Sequence, residues 1–453
     1  MYDFITIGSG VSSIFMAYAM RNSGRSVLIL EKGKPLEARS CPLDRGESCD
    51  CEACDKFFGF AGLGKSEGKF NYTSDFGGEL EHKLGKKRLH ELMREVDDIL
   101  CSYGGDAVDM YSTVNPQLAR KAEQSGLKLL STEVRHLGST LSSAIFQRIY
   151  EEIVASDSIQ LQFQVDVQTI QKDADGFFTV HTSQGSVRAR QIAIATGRSG
   201  TDWLNRQAAE LGVRQGKTRL DLGFRVEMKE QQLRAILQNT FETKLSYADE
   251  NTVSTTYCMN PRGSIIRKYQ EGLVMPDGQN FRERQDGTTA NLNFTLFTPA
   301  YFSTLEEANQ LARQVIGGIN RGGERIVVQR LEDLRRGRPT TTEQLTGNRI
   351  QPTLHADAGY LPEEIPAPYI PILLRFLERL EHFLEEPLDE DTLLYGMDGK
   401  FYAPVLETDE RFQTAVPGFY LIGDCSGVTH SLSQAAACGL YLGKLLSSDS
   451  ERT

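Results

Sequence analysis

The chain is 453 residues long, 40% apolar and 25% charged, with a formal charge of −11. That length supports two or three domains with ample core, and the acidic balance disfavours nucleic acid and anionic membranes as main partners. No apolar run approaches the roughly 20 residues that a membrane-spanning helix needs. Eight cysteines without an expected secretory leader point to a cytoplasmic protein with thiols or a metal site, not a disulfide framework.

The most informative segment comes first. Asp3 to Glu31 reads as a strand, a tight glycine turn, a helix and a second strand that ends in an acid. The turn is Gly8-Ser9-Gly10-Val11-Ser12-Ser13. Gly8 permits the tight turn, and Gly10 lets a pyrophosphate approach the backbone. The amides that open the helix at Val11, Ser12 and Ser13 can hold that phosphate. Glu31 lies 21 residues past Gly10, where a carboxylate can accept hydrogen bonds from a ribose diol. Lys32 follows it as a further contact candidate. Ser13 replaces the last glycine of the usual fingerprint.

A Cys- and Gly-rich loop covers 33–78. Cys41, Cys49, Cys51 and Cys54 fall within 14 residues and can satisfy tetrahedral zinc, ligate an iron–sulfur cluster or cycle as redox thiols. Further on, Gly59-Phe-Ala-Gly-Leu-Gly64-Lys65-Ser66 matches the Walker A spelling. A P-loop needs a buried strand before it and a helix after it, and neither is expected here. Two readings stay open: a glycine-rich surface loop, or backbone draped over a nucleotide with Gly62, Gly64, Lys69 and Asn71 as contacts.

Helices are expected over Lys86–Tyr103 and Thr140–Ala155 from apolar residues at helical spacing. Strands are expected over Gln160–Gln168, Phe177–Thr182 and Ser186–Arg190, joined by Asp175-Gly176 and Gln184-Gly185. A short buried strand then ends in Ala195-Thr196-Gly197. The stretch from about 205 to 395 mixes charged helices (Gln231–Gln238, Leu305–Asn320, Tyr369–Leu384) with strand-like runs such as Thr289–Phe297. It carries no second glycine fingerprint. Gly418–Asp424 returns as a strand, and Ser431–Leu446 as an apolar helix.

Three separated pieces therefore agree: the turn with Glu31, Ala195–Gly197 after a three-stranded meander, and Gly423-Asp424. Asp424 can accept a hydrogen bond from a ribityl hydroxyl of FAD. The helix after His430 points its positive end toward the flavin pyrimidine, an effect of about 0.5–2 kcal/mol on a reduced, anionic ring. Val167 and Ser433 complete the cofactor candidates.

This combination resembles the FAD-binding fold of the glutathione-reductase superfamily. More specifically, the chain is similar to a bacterial family of uncharacterised FAD-dependent (NAD-utilising) dehydrogenases. The resemblance is carried by Cys41-Pro42, Gly59 to Asn71, Arg135-His136-Leu137-Gly138, Ala195 to Asp202, Tyr257 to Gly263 and the Gly423-Asp424 segment. It implies FAD, a redox reaction and a Rossmann-like domain of three-layer β-β-α architecture with an inserted α+β substrate domain. The domain boundaries expected are 1–204 with 396–453 for the FAD domain and 205–395 for the insertion. Two stretches depart from the family: Gly423-Asp-Cys-Ser-Gly427, and Met397 to Pro404, which lacks a Glu-Thr-Arg. Both favour a different substrate.

A bound flavin supplies the hydride chemistry itself, so the protein must supply protons and charge. His430 near the flavin, Tyr257 as an acid and Arg262 as an anchor for a substrate carboxylate are the catalytic candidates. With no second nucleotide fold, NAD(P)H must bind transiently or a protein electron donor must replace it. The alternatives are a flavin monooxygenase and a non-catalytic flavoprotein that senses redox state or metal through its cysteines.

Overall fold

The computed structural model describes residues 1–41, 54–238, 243–249, 252–279, 289–403 and 405–448. The chain divides into two compact units: Met1–Ser112 with Thr132–Gly216 and Ala403–Thr453, and Thr113–Ser131 with Lys217–Tyr402.

The first unit is built on five parallel strands. Their order is Ile159–Gln162, Val27–Leu30, Tyr2–Ile7, Gly185–Ile194 and Phe419–Leu421. The Gly185–Ile194 strand does two jobs. Its last residues pair in parallel with Phe419–Leu421, and its first residues pair antiparallel with Phe178–Thr182. That strand pairs in turn with Val167–Lys172, forming a meander that extends the sheet. Period-2 alternation sends Phe4, Ile29 and Ala193 to one side, against helices Val11–Met20, Lys86–Ser102, Gly138–Val154 and Leu432–Ser448. Ile5, Leu28, Ile192 and Leu421 pack on the other side with Val167, Phe178 and Leu204. Both faces of the parallel sheet are thus covered, as parallel sheets require.

The second unit centres on an eight-stranded sheet. Its middle strands, Leu393–Phe401, Thr218–Lys229, Asn291–Phe302 and Thr252–Pro261, are antiparallel neighbours. Leu220, Leu222, Phe224 and Val226 face an apolar core shared with Phe376, Leu377 and Leu380 of helix Tyr369–Leu384. The alternate residues of that strand, Arg225 and Glu227, are buried on the opposite face.

Several expectations are corrected in detail. Gln160–Gln168 is two strands, not one: Gln164 adopts a positive φ of 57° and breaks it. The kink gives Ile159–Gln162 to the parallel sheet and Val167–Lys172 to the meander. Ser186–Arg190 and the strand before Ala195 are one continuous strand. Gln231–Gln238 is a 3₁₀ turn, Glu230–Leu233, followed by one α-helical turn. The units divide near 217 and 402, not 205 and 395. Helix Thr201–Glu210 belongs to the first unit because Gln207 Oε1 accepts from Ile170 N (2.6 Å) and Leu204 packs with the meander. Strand Lys128–Leu130 belongs to the second unit, where it pairs with Lys244–Asp249. Among the described residues no helix is long and apolar enough to cross a membrane.

Candidate functional site

The site of the first unit lies at the carboxyl ends of three adjacent parallel strands. Gly8 follows the first strand with φ +99°, and a Cβ there would fall 2.4 Å from Ala195 O. Glycine is therefore required by the approach of Ala195-Thr196-Gly197, which ends the neighbouring strand. Gly10 differs. A Cβ there would meet nothing nearer than 4.0 Å, so the protein's own packing does not demand glycine. What needs the space is whatever approaches the turn from outside. Helix Val11–Met20 opens directly after Gly10 with no side-chain cap. Its first-turn amides, at Val11, Ser12 and Ser13, are left to an external acceptor, and the dipole favours an anion.

The C-terminal piece closes on the same turn. Gly423 (φ +71°) has room only for hydrogen on the side of Ser12, whose Oγ is 2.5 Å from a Cβ built there. Asp424 follows, 16% exposed. Thr429 Oγ1 donates to its Oδ1 (2.9 Å), and Arg198 Nε lies 3.5 Å from Oδ2. Burial pushes the Asp424 carboxyl up to about 6, against the pull of Arg198 and Thr429. A desolvated acid at the mouth of a glycine turn marks a ligand site. The hydroxyls of Ser13 and Ser433 are also buried, with no hydrogen-bond partner among the described residues. Open space at Gly10, uncapped amides, a desolvated acid and orphaned hydroxyls together fit a ligand rich in phosphate and hydroxyl groups.

The cysteine- and glycine-rich loop is tied to this turn. A Cβ on Gly62 would lie 3.7 Å from Gly10 Cα, and one on Gly64 would strike Val11 Cγ1 at 2.6 Å. Ala61 N donates to Ser9 O (2.9 Å). The residues spelling a Walker A motif thus lie on the fingerprint itself. Their last four, Leu63–Ser66, form a single helical turn, unlike a P-loop helix.

Glu31 is more committed than the sequence suggests. One carboxylate oxygen accepts from Ser9 N (2.8 Å) and Ser9 Oγ (2.7 Å). The other accepts from Gly33 N (2.6 Å) and Gly59 N (3.0 Å). With four donors placed, it cross-links turn and loop, and a ribose diol has to exchange with one of them. Lys32 is solvent-facing and pairs with Asp166 (3.0 Å). Lys69 and Asn71 are half-buried on strand Lys69–Tyr72, while Phe70 and Tyr72 face the core. Val167 is a core residue of the meander; Val165 is the one whose amide reaches Glu31 O (2.9 Å).

Of the catalytic candidates, His430 belongs to the first unit, where its amide donates to Gly77 O (2.9 Å). Tyr257 and Arg262 belong to the second. The Tyr257 ring lies between Lys244 and Lys400, whose ammonium groups sit 4.9 and 4.7 Å from its centroid, and burial pushes its phenol up. Arg262 (φ +55°) sits just past the end of the same strand, beyond a bulge at Cys258. Cys49 and Cys51 lie outside the described residues. Cys41 and Cys54 are half-buried free thiols, and no metal-binding group of three or more ligands occurs among the described residues.

Three features escaped the sequence reading. Arg39, 4% exposed, organises the glycine loop. Gly439 and Gly443 of the C-terminal helix receive the N-terminal helix; their four-residue spacing was legible. The second unit also buries a charged network. Arg225 donates to Thr295 Oγ1 (2.9 Å), Thr295 donates to Asp398 Oδ2 (2.8 Å), and Lys268 Nζ donates to Asp398 Oδ1 (2.7 Å). Burial raises the Asp398 carboxyl although Lys268 opposes it.

The strand order defines a Rossmann-like unit, carrying an α+β insertion. No protein-family model matches the chain. A ferredoxin–NADP reductase of Lacticaseibacillus paracasei is 50% identical over 38 residues, which are 8% of this chain and only 12% of that protein. Glycine oxidase from Geobacillus kaustophilus aligns over 100% of this chain and 95% of its own, at 13% identity and a TM-score of 0.36. A variant of the halogenase PltM in complex with FAD aligns over 100% and 70%, at 12% identity and 0.37. A variant of E. coli quinol fumarate reductase FrdA aligns over 99% and 70%, at 11% identity and 0.41.

Proposed function

We propose that the chain is an FAD-dependent oxidoreductase that transfers a hydride between bound flavin and a small organic substrate. The observation that carries this reading is the convergence on Gly10 of three chain segments. They bring the uncapped amides of Val11 to Ser13, the loop at Gly62 and the desolvated acid Asp424. Ligands of open parallel sheets bind at the carboxyl ends of the strands, which is where these groups lie.

In this reading the amides of Val11, Ser12 and Ser13 hold the pyrophosphate, Gly10 gives it room, and Asp424 accepts a hydrogen bond from a ribityl hydroxyl. FAD, when bound, supplies the hydride acceptor or donor. Tyr257, kept protonated by burial, is the proposed acid. Arg262 is the proposed anchor for a carboxylate, its planar guanidinium matching that group bidentately. His430 is the proposed proton carrier of the first unit. The electron source is NAD(P)H bound transiently or a protein donor.

The test is direct. Purified protein is examined for a flavin absorbance spectrum, the extracted cofactor is identified by mass, and the protein is mixed anaerobically with NADH and with NADPH. The expected result is one FAD per chain that bleaches with one of the two. A colourless protein that cannot be reconstituted with FAD overturns the proposal.

A further inference from the structure

We propose that Arg39 is the positioning residue of the cofactor loop, holding residues 55–66 folded against the Gly10 turn. The inference rests on the FAD reading above and concerns a residue outside every motif that suggested it.

Arg39 is buried, yet its guanidinium touches almost nothing but main chain. Nε donates to Asp55 O (3.0 Å). Nη1 donates to Phe60 O (2.5 Å). Nη2 donates to Asp55 O (2.7 Å), Lys56 O (3.1 Å) and Gly62 O (3.0 Å), and lies 3.3 Å from Ser66 Oγ. One planar fork therefore collects four carbonyls across eight residues of loop. No lysine can do this, because an ammonium is a point donor without the fork. Ser66 Oγ adds a bond to Lys56 O (2.8 Å), and Lys65 Nζ returns to Arg39 O (3.3 Å).

The loop is shaped around this side chain. Gly59 has φ +101°, and a Cβ there would meet Arg39 Cδ at 2.8 Å and Lys34 O at 2.6 Å. Gly33 likewise gives way to Gly59, whose nitrogen would lie 2.2 Å from a Cβ on Gly33. The opposite side of the loop is what reaches the fingerprint, through Ala61 N to Ser9 O, Gly59 N to Glu31 and Gly62 against Gly10. With its carbonyls drawn onto Arg39, the loop turns the Gly59 and Ala61 amides and bare Cα atoms toward the turn. The carboxylates of Glu31 and Asp55 also compensate the buried charge.

A residue that only stabilised the fold would alter unfolding and leave the cofactor affinity of the folded protein unchanged. Holoprotein of wild type, Arg39→Lys and Arg39→Met is compared by the rate of FAD release on dilution and by amide hydrogen exchange. Expected are release at least tenfold faster in both variants and faster exchange confined to 54–66, with Leu432–Ser448 as protected as in wild type. Methylguanidinium added to Arg39→Ala should slow release again. Release within twofold of wild type in Arg39→Lys overturns the inference, and so does loss of protection that extends through the C-terminal helix. If Arg39→Met does not fold, Arg39→Lys decides. Wild type that takes up no FAD overturns the functional proposal and this inference with it. FAD uptake with release unchanged overturns this inference alone.

Discussion

The carbonyl oxygen of Ser12 occupies the place of a side chain on Gly439: a Cβ there would fall 1.8 Å from it. One turn further on, Gly443 stands in the same relation to Met16 O, at 2.5 Å. The N-terminal and C-terminal helices thus touch backbone to backbone through a Gly-x-x-x-Gly stripe, which puts Gly423 and Asp424 beside the fingerprint. Gly439→Ala should cost about 1–3 kcal/mol by overpacking and should weaken FAD binding as well. Gly318→Ala is the contrast, because that exposed helical glycine has nothing within 4 Å; it should be neutral or stabilising by about 0.5–1 kcal/mol. Urea denaturation of the two variants measures the difference, and equal effects would refute the helix-contact account.

Glu31 joins turn and loop through four donors, so its loss should be felt in both. Glu31→Gln preserves the shape but turns an amide NH₂ toward backbone N–H groups. The expected cost is about 1.5–3 kcal/mol, the range for hydrogen bonds to a charged group. Ser9→Ala removes one bond to the same carboxylate and leaves its other three donors, so it should cost less, about 1.5 kcal/mol at the low end of that range. Thermal melts of the apoproteins check the ranking, and a smaller effect in Glu31→Gln than in Ser9→Ala would contradict the cross-link.

Much of this site could be read in the chain. Gly8, Gly10, Ala195–Gly197 and Gly423-Asp424 follow strands, and the alternation of Phe4, Ile5 and Ile7 marks a sheet covered on both faces. The rest is tertiary. Nothing in Leu36-Glu37-Ala38-Arg39 distinguishes a buried arginine from a solvated one, because its partners are carbonyls, and every residue has one. Glu31 looked free for a ribose because amides that arrive from Gly59 leave no trace in its own neighbourhood. The strand expected over Gln160–Gln168 failed for a similar reason: the left-handed turn at Gln164 is set by amides at 164 and 165 reaching Gly33 and Glu31.

The four-cysteine segment carries a separate expectation. Cys41 and Cys54 bracket it, and Cys54 precedes Asp55, whose carbonyl Arg39 holds. If the four thiols hold metal, purification without chelator should give about one equivalent of zinc or iron per chain, since four ligands make one tetrahedral site. Cys54→Ser should abolish it and speed FAD release through the same loop. Elemental analysis beside thiol titration decides: metal-free protein with all thiols titratable rejects the site.

Asp424 gives a prediction with a definite sign. Its carboxyl stands at about 6 in the folded chain against an ordinary 3.8. A raised carboxyl binds its proton more tightly when folded, so this group's contribution is complete below about 3.8 and is lost as pH rises through about 6. Above that, the folded apoprotein carries a desolvated charge at a cost of roughly 3 kcal/mol. Asp424→Asn should therefore be more stable than wild type at pH 7.5 by up to that amount, and the advantage should vanish below pH ~4. Cofactor binding should run the other way. A hydroxyl donor favours the ionised acid, so wild type should bind FAD more weakly as pH falls through about 6, whereas Asp424→Asn should bind weakly with no such dependence. Melts of the apoproteins and FAD titrations across pH 4–8 test both halves. A variant less stable than wild type at pH 7.5 would show that the carboxylate is stabilised by its own neighbours and waits for no ligand.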